Sequence, residues 1–274
     1  QAWPLCKWMA QLEDSGQAPE GLGALNEEDR SQTVETVRTL AEREATPVSR
    51  IRLAATLLEC TLWCDIDGDR ATALEYGQEA LDLTGLLMKE TPLGATTRLH
   101  IEALSRVAHH TSTGAEKQRL YNAAIDSLRR LYAAGREVYD AHDLINFLLI
   151  NARLSHEAGD FEIARDYLLE ALALTDEAPA LCDAGGWRED ELFNCLSQLS
   201  AVLRSMGDET ERRKVLERYQ SVVEEHLERE GVGVSDIEPR RMHMHCCQFY
   251  RATGEIRLAI LHAEKAYALC IGFL

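Results

Sequence analysis

"AGDFEIARDYLLEALAL", residues 158–174, decides the fold. Glycine takes the left-handed conformation that ends a helix, and a following aspartate supplies the acceptor that starts the next one. Gly159 and Asp160 stand in that order. Ala164 and Ala171 follow five and twelve residues after the glycine. Seven residues are about two helical turns, so both alanines lie on one stripe. A stripe of small side chains lets the second helix press closely on the first. The stretch therefore predicts the tight turn and second arm of a helical hairpin.

The same grammar recurs along the chain. Gly68, Gly114, Gly159, Gly207 and Gly254 are spaced 46, 45, 48 and 47 residues apart, and four of them precede an acid: Asp69, Asp160, Asp208 and Glu255. Paired alanines recur at Ala73 and Ala80 and at Ala259 and Ala266. Seven residues before four of the glycines stand Thr61, Ala152, Ser200 and Cys247, again small. In the repeat of Gly207, Arg212 and Tyr219 occupy the two alanine positions. A fixed long period of this kind is the signature of a repeat array.

Gly-Asp followed by alanine at plus five and plus twelve resembles the tetratricopeptide repeat (TPR) over roughly residues 47 to 272. The usual TPR period is ~34 residues, whereas HEAT and armadillo repeats run to ~40–47. We weigh the pattern above the length and expect longer helices or loops. The resemblance implies an all-α fold, a right-handed superhelix of about six antiparallel helical pairs. Residues 1–46 are expected to form an N-terminal helical pair or cap, and residues 47–274 one continuous solenoid. Helices are expected at 47–66 with 69–88, 94–113 with 115–133, 136–158 with 160–176, 188–206 with 208–230, and 239–253 with 255–272. "EEDRSQTVETVRTLAERE" reads as a further helix upstream, with the Trp-bearing start as its candidate partner. "DEAPALCDAGG" and "GVGVSDIEP" read as loops, with Pro239 suited to a first helical turn.

Composition narrows the function. The 274 residues are 46% hydrophobic and 27% charged, enough for a core and unlike a disordered chain. A net charge of −17 repels nucleic-acid phosphates and anionic membranes. No apolar run reaches the ~18 residues of a membrane span. The start "QAWPLCKWMAQL" lacks the plan of a signal peptide. Eight scattered cysteines without a secretion signal read as reduced thiols of a cytoplasmic protein. A chain that begins on Gln and stops on "ALCIGFL" reads as a fragment of a longer protein.

Two stretches invite a metal reading. "RRMHMHCCQFYRAT" puts His243 and Cys247 four apart on one helix face, but His245 and Cys246 point elsewhere, and a tetrahedral site needs two more ligands. We read it as helix packing. "HH" at 109–110 with "DAHDL" at 140–144 resembles the ligand order of HD-type metal phosphohydrolases. His142–Asp143 falls inside a helix the repeat already explains, and short dipeptides match by chance. Neither stretch is assigned a metal, and no cofactor is expected.

TPR-like arrays hold partners on a concave surface lined by the first helix of each pair. The glycine register places groove positions three, six, ten and thirteen residues before each turn. The first two pairs give Asp65, Leu62, Leu58 and Ala55, then Thr111, Ala108, Leu104 and Ile101, a largely apolar half. The C-terminal half gathers Asn146, Arg153 and His156, then Asn194 and Arg204, then Arg241, Gln248 and Arg251. Arginine forks suit carboxylates, and Asn and Gln can bond an extended peptide backbone. The expectation is a non-catalytic protein- or peptide-binding module, regulatory or scaffolding within a larger signalling protein. Its partner carries an acidic or carboxylate group, with no role for nucleic acid or membrane. The rival readings are self-association into a homodimer, a sensor of a signal peptide or small molecule, the HD-type hydrolase, and arginines that merely pair with acids such as Glu157, Glu211 and Glu255.

Overall fold

The computed structural model describes residues 27–90, 94–135, 137–177, 187–230, 243–244, 246–247, 249–251 and 254–271. Among them every regular element is an α-helix: α1 Glu27–Glu44, α2 Pro47–Ile66, α3 Arg70–Glu90, α4 Gly94–His110, α5 Gly114–Gly135, α6 Val138–Ala158, α7 Phe161–Glu177, α8 Trp187–Met206, α9 Glu209–Glu230 and α10 Ile256–Ile271. The described residues between 243 and 251 are helical as well. The Trp-bearing start, the "GVGVSDIEP" loop, Arg241 and Gln248 lie outside the described residues. The described helices run to between 16 and 22 residues, which contributes to a period above the usual TPR length.

The hairpin turns follow from the glycine-acid pairs. Gly68, Gly159, Gly207 and Gly254 have φ of 83°, 88°, 74° and 85°. In each turn the glycine N–H bonds the carbonyl three residues back, and the following acid's N–H bonds the carbonyl five back. At Gly159 these are His156 at 3.1 Å and Ser155 at 2.9 Å. This is the Schellman closure, which satisfies carbonyls a helix end would leave orphaned. The acid then starts the next helix: Asp69 Oδ1 accepts from the Thr72 N–H at 3.2 Å, and Asp208 Oδ1 from that of Glu211 at 3.1 Å. Gly114 departs from this expectation. It is the first residue of α5 with no left-handed φ, and it is the one glycine of the five not followed by an acid.

The small-residue stripes sit where helices meet. Ala73, Ala80, Ala164, Ala171, Ala152, Thr61 and Ser200 have no exposed surface. The substituted positions after Gly207 are buried too. Tyr219 stacks face to face on Phe249 with ring centroids 3.4 Å apart, and Arg212 bonds Glu209 at 2.8 Å and pairs with Glu255 at 3.6 Å. A large ring thus fills the space that alanines close elsewhere.

The chain divides between Asp143 and Leu144, inside α6, into two compact units. In the first, each helix packs on the next from α1 to α5, and α2 also packs on α4. Leu57, Leu58, Leu87, Leu99, Ile125 and Leu128 fill its interior. Each such side chain contributes about 1.5–3 kcal/mol relative to exposure. In the second unit α7 packs on α8 and α8 on α9, around Leu148, Leu168, Leu196 and Tyr219.

Arginine–acid pairs tie helices nearly one period apart. Arg38 grips Glu79 through two hydrogen bonds, Arg50 meets Glu90, and Arg218 meets Asp176. Arg98 forks onto Asp140 at 3.1 and 2.9 Å and reaches Glu137 at 3.0 Å. Asp140 is buried, so that fork carries more than the exposed pairs.

Candidate partner-binding surface

The expected groove splits into two different environments. In the first unit Ala55, Leu58, Ile101, Leu104 and Ala108 are at most 5% exposed. They are core, not the apolar half of an open groove, because α2 and α4 pack directly on one another. Only Leu62, Asp65 and Thr111 of that set reach solvent.

In the second unit the expected polar residues do face water. Arg153, Asn194, Arg204 and Arg251 are exposed, and Asn146 and His156 are half-buried. His156 Nε2 lies 2.9 Å from the Ser205 hydroxyl, so the C-terminal ends of α6 and α8 are neighbours. The Arg204 guanidinium reaches the next turn, where a Cβ built on Gly254 would come within 3.7 Å of Nη1. Arg153 is 4.0 Å from Glu157 with both side chains about two-thirds exposed, a pair worth little in water. The other acids named as competitors are engaged elsewhere: Glu211 holds Lys214 at 2.6 Å and Glu255 faces Arg212.

Of the His/Cys-rich stretch, His243 and Cys246 are interior, while Met244 is half exposed. His243 and His262 are both buried, with their Nδ1 atoms 3.1 Å apart, and Cys246 is fully covered. Burial pushes the Cys246 thiol up to about 12 and, helped by His243, lowers His262 to about 4. The Cys246 thiol and the two imidazoles lie among packed side chains, and a buried thiol raised in this way is unreactive. His142 and Asp143 likewise do not join His109 and His110. Among the described residues, the one group of three metal-ligating side chains brought together is Asp65, His109 and His110.

One open groove was not foreseen. It encloses about 900 Å³ on the first unit and is lined by Leu74, Glu75, Gln78, Asp82, Leu86 and Glu116 among others. Leu74 and Leu86, exposed on the second helix of a pair, give it an apolar lining that the sequence alone does not distinguish from core leucines.

Three solved structures share this architecture. BtubC (BKLC) of P. vanneervenii superposes with a TM-score of 0.57 at 18% identity, over 89% of each chain. A kinesin light chain-like protein of Podosopora anserina with nearly identical TPR-like repeats gives 0.53 at 16%, over 82% of this chain and 97% of that one. Its Q17M variant gives 0.52 at 15%, over 80% and 95%. The fold is a TPR-like helical repeat. No protein-family model matches the chain, and no curated protein is significantly similar to it. The TPR-like likeness extends to most of the chain and concerns the fold. Among the described residues, no helix of this TPR-like chain is long and apolar enough to cross a membrane.

Proposed function

We propose that this chain is a non-catalytic TPR-like module that binds a protein or peptide through an acidic or carboxylate group. TPR-like folds generally serve as protein-interaction or scaffolding modules. One observation supports the finer reading: Arg153, Arg204 and Arg251 stand exposed on three successive first helices of one unit, within a chain of net charge −17. In so acidic a chain, a row of guanidinium groups left at the surface favours a negatively charged partner over a merely solvated face. His156, one turn from Arg153, and Asn194, about three turns before Arg204 on the same helix, offer hydrogen bonds to an extended peptide backbone. Free cysteines at 60, 64, 195, 246 and 247 suit a reducing, cytoplasmic setting, with the module regulating or scaffolding within a larger protein.

The test is a peptide array of acidic C-termini, each in free-acid and amidated form, probed with the full chain. An Arg–carboxylate contact contributes about 1.5–3 kcal/mol, so Arg204→Glu should weaken free-acid binders about tenfold or more. Equal binding of both peptide forms, or binding unaffected by Arg153→Glu, Arg204→Glu and Arg251→Glu together, would refute it.

Self-assembly is a second reading, supported by α10. Ile256, Ile260 and Tyr267 are each more than half exposed and lie along one face of that helix. Concentration-dependent sedimentation that Ile260→Glu abolishes would establish that surface as a contact between copies.

A further inference from the structure

His109 and His110 are the last two residues of α4, and Asp65 lies one residue before the end of α2. Packing of α2 on α4 brings these helix ends together. The Asp65 carboxylate faces both rings, with Oδ2 3.7 Å from His109 Nε2 and Oδ1 3.9 Å from His110 Nδ1. One donor atom from each of the three residues lies within 4.8 Å of the other two. The two imidazoles meet edge to face at 87°, so their nitrogens approach the carboxylate from different directions.

His110 supplies the independent observation. Its side chain is 1% exposed, and neither ring nitrogen has a hydrogen-bond partner among the described residues. A buried polar group left unpaired costs about 1–3 kcal/mol, and such groups in folded proteins are normally satisfied by protein, water or an ion. Burial also lowers the His110 pKa, keeping the ring in the neutral form that ligates metals. Arg70 and Arg106 act in the same direction on His110 and oppose a cation, but Arg106 is held by Glu102 at 2.7 Å. His109 is 59% exposed and Asp65 31%, which leaves an open side for entry.

We propose that Asp65, His109 and His110 form a binding site for a divalent transition metal of the zinc class, with solvent completing the coordination. Two imidazole nitrogens and one carboxylate are a donor set suited to Zn²⁺, Ni²⁺ or Cu²⁺. Calcium and magnesium call for six or more oxygens and are not matched. Metal–donor bonds of ~2.0–2.2 Å put tetrahedral donors about 3.3–3.6 Å apart, so the side chains must close by about 0.1–1.5 Å. The exposed ring of His109 and the part-exposed Asp65 carboxylate can supply that movement. A bound ion would pin the end of α2 to the end of α4 and so stiffen two adjacent repeats.

The full chain, stripped with EDTA and desalted, is titrated with Zn²⁺ by calorimetry and with Co²⁺ by visible absorption. The variants are His109→Gln, whose exposed position leaves the fold intact, Asp65→Asn, and His245→Gln as a control in the other histidine-rich stretch. The expected result is one equivalent of Zn²⁺ and a four- or five-coordinate Co²⁺ spectrum in the parent and in His245→Gln. Affinity should fall by about tenfold or more in the other two, since even outer-shell changes cost 10–100-fold. Failure of the parent chain to bind an equivalent overturns the proposal. So does binding that survives both His109→Gln and Asp65→Asn, or that is lost with His245→Gln.

Discussion

Replacing Gly159 by alanine isolates the backbone term of a hairpin turn. The glycine sits at φ +88°, and an added Cβ would meet nothing within 4 Å, so no steric neighbour enters the balance. What remains is the left-handed conformation, which costs an L-residue roughly 1–2 kcal/mol. Gly114 is the matched control, because it lies in open space too but in a helical backbone. Both changes remove the same freedom from the unfolded chain, so that contribution cancels between them. Gly114→Ala should be neutral or stabilising by up to about 1 kcal/mol, and Gly159→Ala should be less stable than Gly114→Ala by about 1–2 kcal/mol. Urea unfolding followed by circular dichroism measures the difference. Hydrogen exchange at the amides of Gly159 and Asp160, which close the turn, reports whether the loss is local. Equal stabilities for the two variants would mean that the turn does not hold its glycine left-handed, and the repeat register built on it would fail.

Arg98→Ala should cost about 1–3 kcal/mol, because it strands the buried Asp140 carboxylate, whereas Arg153→Ala, paired only across exposed surface, should stay within about 0.5 kcal/mol. Tyr219→Ala restores the small residue that other repeats carry, yet should destabilise by about 3–5 kcal/mol, since it empties the space against Phe249 and Phe193; a milder loss would show that α9 can close as the other second helices do. Burial, then Glu102 and Asp140, raise the Asp143 carboxyl to about 7, above its unfolded value near 4. The folded chain therefore holds that proton more tightly, and the stability it confers is present below pH ~4 and lost as pH rises through ~7. Asp143→Asn should flatten the dependence of the thermal midpoint on pH in that window, and an unchanged slope would rule Asp143 out as its source.

The turns were readable because their chemistry is local. A left-handed glycine and a capping acid need no partner outside a few residues, so four hairpins stood out in the sequence, and Gly114, lacking its acid, departed from the pattern. Helix lengths followed from the spacing between turns. The groove was harder to see, since a register position says which face a residue occupies but not what covers that face. Leu58, Ile101 and Leu104 hold groove positions and are nonetheless core, because first helices in the N-terminal unit pack on each other.

Charge shows the same limit. Arg98, Arg153 and Arg204 are alike in sequence, each on the first helix of a pair, yet they do different things. Arg98 is committed to Asp140, 42 residues away, while the contact of Arg153 among the described residues is a loose one, one turn along its own helix. A partner nearly one period distant cannot be picked from 46 acids by inspection. His109 and His110 illustrate the converse. Their dipeptide suggested a hydrolase through a distant His-Asp pair, whereas packing gives them Asp65, from the first helix of the preceding pair. In a repeat array, the residues that matter to a side chain lie on the neighbouring hairpin. A search of sequence-adjacent ligands will miss such sites, whereas comparison of the ends of successive first helices will find them: Asp65 stands three residues before Gly68, and His110 four before Gly114.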